Sequence, residues 1–320
     1  MDSLLILRRI KVENANAIAG LTWGFPALSH FLGFTHALQR RWQRDDALAP
    51  ALSQCAIICH QHQVHSHQAS SVADHVFALT RNPLTKEEKT APFNEEGRMH
   101  MEVTLVIGMQ DLPPISDDEL STLRTQLSHW ASCQRLAGGN ILSIGQVDLI
   151  SDVDHLRQPS ALKKLLRSFL PGYLLVNRAD ILADHQTQTG KTPLDAWMDF
   201  SSLASRAVQD SDTPTKATWP KSRPPYGGWL RPINVGYQAI SGLYAPGTVN
   251  KSRDTTTPVC FVESVYSLGE WLSPHRITSL ESIFWRYQFD AQQGLYYCAN
   301  DYQAPSSSEP TITALAQLGE

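Results

Sequence analysis

The sequence predicts an α+β fold. A ferredoxin-like core fills the first half, a long β-hairpin protrudes from it, and a mixed α/β second half completes the chain. Three observations carry this. Apolar positions through residue 142 switch between strand and helix periods in the order β-α-β-β-α-β. A polar stretch over 81–98, with Pro83, Pro92 and Gly97, separates two strand-like runs. Hydrophobic residues are 42% of the 320 and charged residues 18%, a globular balance that excludes wholesale disorder.

Leu4, Leu5, Ile6 and Leu7, with Ile10 and Val12 beyond, read as the first strand. Residues 14–25 read as a loop with Gly20 and Gly24, and Pro26 suits a helix start. Leu28, Phe31, Phe34, Leu38 and Trp42 form an apolar stripe at helical spacing, closed by Arg40, Arg41 and Arg44. Residues 56–59 and 76–80 are short strand candidates. Met101, Val103, Leu105 and Ile107 alternate with polar residues as a half-buried strand, so the predicted hairpin spans about 76–108. Ser116 to Glu119 is a capping box before Leu120, Leu123, Leu127 and Trp130. That helix is expected to end at Arg135-Leu136-Ala137-Gly138-Gly139, with Ile141-Leu142 resuming a strand.

Residue 145 marks the expected end of this core, and 146–300 the second half. There the sequence predicts a helix over 160–170 stopped by Pro171-Gly172, a strand over 173–176 and a helix over 193–208. A loop is expected over about 210–228, with strands over 229–233 and 259–262. A further helix is expected from Ser273-Pro274 through Leu280, Ile283, Phe284 and Tyr287. Residues 301–320 read as a flexible tail.

The five cysteines are odd in number and form no C-x-x-C, which reads as a reduced, cytoplasmic protein. The longest N-terminal apolar run is too short for a signal peptide or a membrane span. The net charge of −4 argues mildly against a free-standing nucleic-acid binder, so any RNA contact has to come from local patches. Phosphate-loop, dinucleotide, zincin and nucleophile-elbow motifs are all missing. His60, His62, His65 and His67 are the best candidates for metal or acid–base chemistry. An extra residue separates the pairs, so His60 and His62 are expected to face away from His65 and His67. Gly138-Gly139 after Arg135 reads either as a phosphate-approaching nest or as a helix C-cap and tight turn. Trp23, Phe25, Trp229 and Trp271 sit in glycine- or proline-rich surroundings, where aromatics either stack on unpaired bases or anchor the core.

Several stretches together resemble one family. They are Asn14-Ala15-Asn16-Ala17-Ile18 with Leu21-Thr22-Trp23-Gly24-Phe25-Pro26; Gly33-Phe34-Thr35-His36-Ala37-Leu38-Gln39-Arg40-Arg41; Leu79-Thr80-Arg81-Asn82-Pro83-Leu84; Glu96-Gly97-Arg98; Arg135-Leu136-Ala137-Gly138-Gly139; Leu170-Pro171-Gly172; and Leu268-Gly269-Glu270-Trp271-Leu272-Ser273-Pro274-His275-Arg276. In order and spacing they resemble the second subunit of the type I-F CRISPR Csy complex, a RAMP-superfamily family that caps the 5′ handle of the guide RNA.

The resemblance implies an RRM-like core whose hairpin acts as a thumb. It implies a non-catalytic subunit without cofactor, metal or membrane contact. The implied partners are the CRISPR RNA 5′ handle, the large subunit of the complex as heterodimer partner, the adjacent backbone subunit and, through the assembled complex, target double-stranded DNA. RNA contacts are expected from Arg81, Asn82 and Arg98 of the hairpin and from Arg135, Gly138, Gly139 and Asn140 of the turn. Trp23, His36, Arg40, Trp229, Arg253, Trp271, His275 and Arg276 complete the candidate set. Two rivals are a RAMP-type metal-independent endoribonuclease with His36 or His60 as general base, and a metal hydrolase built on the histidine run.

Overall fold

Leu4, Leu5, Ile6 and Leu7 are all fully buried, in two different cores. Successive side chains of a strand point to opposite faces, so an unbroken apolar run needs cover on both. Leu5 and Leu7 face one core and Leu4 and Ile6 the other. The computed structural model of the chain describes residues 1–80, 83–202, 204–205, 207–209, 217–219 and 221–304.

Eleven strands join in one antiparallel sheet. They are β1 (Ser3–Asn16), β2 (Ala51–Val64), β3 (Arg98–Gln110), β4 (Arg135–Leu136), β5 (Gly139–Ser143), β6 (Gln146–Ile150), β7 (Tyr173–Asn177), β8 (Leu230–Ala239), β9 (Val262–Leu272), β10 (Trp285–Asp290) and β11 (Leu295–Asn300). Their spatial order is β4-β5-β1-β3-β2-β7-β9-β8-β11-β10, with β6 also on β1. The end of this path returns to its middle, because Trp285 of β10 stands opposite Cys55 of β2. Five α-helices are present among the described residues: α1 (Leu28–Asp45), α2 (Asp117–Ser132), α3 (Pro159–Arg167), α4 (Ala179–Thr189) and α5 (Pro193–Ser201).

The first half runs β1-α1-β2-β3-α2 and then β5 and β6, which lie beside β1. Helices α1 and α2 cover one face through Phe31, Leu38, Trp42, Leu127 and Trp130. Helix α3 covers the other through Leu162, Leu165 and Leu166, with Phe169 beside them. A β-bulge in β1 keeps its later residues in phase. Arg8 and Arg9 are inserted between Leu7 and Ile10, Arg9 takes φ 53°, and Leu7 and Ile10 both reach the α1–α2 core although three positions apart. The predicted capping box forms at the start of α2 between Ser116 and Glu119. Leu175, Ile233, Val235 and Trp285 of the second half enter the α1–α2 core, so that core draws on both halves.

Several sequence expectations are corrected. The strand paired with β3 is β2, fourteen residues long, and not 76–80. His75–Phe77 pairs instead with Ser66–Gln68, and Leu79–Thr80 with Asn94–Glu95, so two short ribbons stand on the 65–97 connection. Helix α2 stops at Ser132, and Arg135-Leu136 starts a hairpin rather than closing a helix. Helix α5 stops at Ser201. Beyond it Ala204–Ser205 pairs with Lys221–Ser222 and Val208–Gln209 with Ala217–Thr218, where a helix end and then a loop were expected. Residues 210–216 of that expected loop, and 305–320 of the expected tail, lie outside the described residues.

The helix expected after Ser273 is also absent. Two 3-10 turns, Pro274–Arg276 and Glu281–Ile283, lead into β10. The reason lies at Phe284 and Trp285. They are adjacent and both fully buried, yet in opposite cores, which only the two-residue period of a strand allows.

Candidate functional site

The far end of β1 gathers six of the sequence candidates. Leu136 faces Gly139 and Arg135 faces Asn140 across a two-residue turn. The turn residues Ala137 and Gly138 have φ of 51° and 76°. Positive φ at both central positions is the primed hairpin turn that matches strand twist. Gly139 has no room for a side chain, since a Cβ would lie 2.6 Å from the Glu13 carbonyl oxygen. The Asn16 amide donates to the Ala137 carbonyl at 2.8 Å, which docks the turn on β1.

Arg98 meets the same stretch of β1 from the other side. It opens β3 opposite Asn16 and donates to the Asn14 carbonyl at 3.4 Å. Its guanidinium also pairs with Glu96 at 2.6 Å, and both side chains are half-buried. The ribbon Ile18–Ala19/Thr22–Trp23 follows directly, and it leaves the Trp23 ring 53% exposed, edge-on to Phe77 at 5.7 Å. Trp23, Arg98, Arg135, Gly138, Gly139 and Asn140 thus flank one segment of chain, residues 14–23. Arg81 and Asn82 lie outside the described residues.

The remaining candidates are placed elsewhere. His36 and Arg40 are exposed one turn apart on the outer face of α1. Arg253 is exposed in the connection between β8 and β9. Trp229 is 61% exposed, edge-on to Tyr173 at 5.2 Å. Trp271 packs its ring edge on Phe25 at 4.9 Å against the α1–α2 core, an anchoring role. His275 meets the Ser273 hydroxyl at 2.7 Å through Nδ1. Arg276 donates to Glu270 at 3.3 Å. Glu270 is 1% exposed and also accepts from Arg178, which pairs in turn with Asp180. A carboxylate taken that far from water needs cations, and Arg276 supplies one.

The histidine run is divided by a bulge. The register of β2 against β3 shifts between Cys59 and Gln61, which turns His60 and His62 to opposite faces instead of one. His60 Nδ1 lies 2.7 Å from the Pro171 carbonyl, so that nitrogen carries the proton. Nε2 then accepts from the Thr104 hydroxyl at 2.7 Å, and Thr104 accepts from the Arg9 amide. Both ring nitrogens are engaged, and burial, more than the nearby arginines, holds His60 below the usual imidazole range. His65 and His100 stand edge to face at 4.1 Å, and burial first, then His100, lowers His65. Among the described residues no group of three metal-ligating side chains converges.

Arg231, absent from the sequence candidates, reaches the Trp23 carbonyl from β8. Its stretch Trp229 to Ile233 reads only as a strand, because the contact joins residues 208 positions apart.

Two comparisons with known proteins point to the same family. A family model described as CRISPR-associated protein (Cas_Csy2) matches residues 5–298. The chain is similar to the CRISPR-associated protein Csy2 of Pseudomonas aeruginosa (strain UCBPP-PA14), at 37% identity over 315 residues, covering 92% of this chain and 94% of that protein.

Proposed function

Because the chain belongs to the Csy2 family of CRISPR-associated proteins, we propose that it is a non-catalytic RNA-binding subunit of a type I-F Csy surveillance complex, holding the 5′ handle of the CRISPR RNA. The observation that carries this reading is the convergence of Arg98, the Arg135–Asn140 turn and the exposed Trp23 ring at the far end of β1. Guanidinium forks suit phosphates, and an exposed indole suits an unpaired base. On this reading the strand order β5/β6-β1-β3-β2 under α1 and α2 is the ferredoxin-like, RRM-like core of a RAMP protein. The ribbons of residues 65–97 then form its thumb.

The chain works here as a heterodimer with the large subunit and touches the adjacent backbone subunit. Target double-stranded DNA is recognised only by the assembled complex, in the cytoplasm. The net charge of −4 fits such sharing, since only the RNA face of a joint binder has to be basic. The engagement of both His60 nitrogens supports a non-catalytic reading over an endoribonuclease using that residue as base.

Co-expression with the large subunit and a CRISPR array, followed by sequencing of the copurified RNA, tests this. Intact guide RNA is expected, and its yield should drop when Arg81, Arg98 and Arg135 are mutated together. A heterodimer without RNA overturns the handle-binding role, and cleaved RNA restores the nuclease reading.

A further inference from the structure

Arg231 differs from the other inward-facing cations. Arg178 has Glu270 and Asp180, whereas Arg231 has no carboxylate partner among the described residues. Its Nη2 donates to the Trp23 carbonyl and packs over Gly24, where a Cβ would stand 2.8 Å away. The titratable groups that sense it among the described residues are the Cys59 thiol and His62. Burial pushes that thiol up to about 12, so it supplies no negative charge near neutrality. A guanidinium does not lose its proton in a protein, so Arg231 keeps its charge with no carboxylate among the described residues to pair it.

The surroundings suit a particular anion. Arg231 is only partly buried, and His62 is exposed beside it. One carbonyl occupies one of five N–H donors and leaves the fork open to a phosphate. The backbone oxygen that Arg231 holds belongs to Trp23, the residue with the exposed ring. A guanidinium fork bound to the backbone of a residue whose indole is accessible can hold one nucleotide of a single strand, phosphate on the fork and base on the ring.

We propose that Arg231, with Trp23 and His62, forms an anchor for one unpaired nucleotide of the bound RNA, where Arg231 of β8 reaches the ribbon after β1 and lies near His62 of β2. The anchor rests on the RNA-binding reading above and extends it to a residue of the second half. It runs on from the Arg98–Arg135 end along residues 14–23.

The test is binding of a fluorescein-labelled single-stranded RNA with the CRISPR repeat's 5′ handle sequence to the full chain copurified with its large subunit, over a range of salt concentrations. R231Q should weaken binding about tenfold and lower the salt slope by about 0.7, the loss of one phosphate contact on a single strand. W23A should weaken binding about tenfold with the slope unchanged, and W23F should restore most of it. R231K, which keeps the charge, should keep the slope; with W23A it carries the test if R231Q does not fold. Wild-type binding with unaltered affinity and slope in R231Q, or unaltered affinity in W23A, overturns the anchor alone and leaves Arg231 a strut for the ribbon. A wild-type heterodimer that holds no RNA overturns the handle reading and the anchor together.

Discussion

Two groups of arginines in this chain look alike in sequence and differ in the fold. Arg178 and Arg276 converge on Glu270, a carboxylate sealed beneath Gly228, whose Cβ would collide with it. Their charges are spent inside the protein. Arg98, Arg135 and Arg231 gather near residues 14–23, where among the described residues their one acidic partner is the partly exposed Glu96. Exposed ion pairs are weak and readily exchanged, so these guanidinium groups stay open to a ligand. A basic residue in a family motif is therefore a ligand contact or an internal strut according to what the fold buries beside it.

The largest expected effect breaks the first group. E270A leaves Arg178 desolvated with only Asp180, and losing one partner of a buried pair costs about 3–5 kcal/mol. Thermal denaturation should show a large drop in melting temperature, while RNA affinity of the protein that remains folded is unchanged. A fall in both would mean that the two regions are coupled. The second group should behave in the opposite way. R98A with R135A should leave stability within about 0.5 kcal/mol, as for exposed positions. RNA affinity should fall about tenfold or more, measured by fluorescence anisotropy.

A smaller effect tests whether the turn serves as a rigid mount. Gly138 has φ 76° and open space around it, so G138A costs only the left-handed strain, about 1–2 kcal/mol. G139A adds a methyl against the Glu13 carbonyl and should cost more, seen as a lower denaturation midpoint. Smallest is the pH response of the polar contacts behind the site. Burial, the first cause in each case, depresses His30, His60 and His62 below the usual 6.5. The unfolded chain therefore takes up protons first as pH falls, and stability present above about 6.5 should decline below it. H60N should flatten that decline in urea denaturation at two pH values, and an unchanged slope would remove His60 from the account.

The sequence was most readable where periodicity is local. The stripe from Leu28 to Trp42, the capping box at Ser116 and the run at Leu4 all form the elements they predict. It was least readable where one element answers to two cores. Leu280, Ile283, Phe284 and Tyr287 fit a helical pattern until the sheet places Phe284 and Trp285 in opposite cores. The extra length of β2 was hidden because 60–64 is polar, and its pairing with β3 supplies what hydrophobicity does not. For the candidate site, the sequence marked Trp23, Arg98 and the Arg135–Asn140 turn, while their convergence depended on the register of β1 with β3 and β5.

The sequence by itself determined the α+β character, the family and the residues that line the end of β1, because these rest on short-range patterns and ordered motifs. The tertiary structure decided which arginines are neutralised. It did so by sealing Glu270 under Gly228 between Arg178 and Arg276, and by bringing Arg231 to Trp23 with no carboxylate beside it among the described residues. Charge pairing inside a protein depends on burial and on contacts between residues distant in the chain, and no local pattern encodes either.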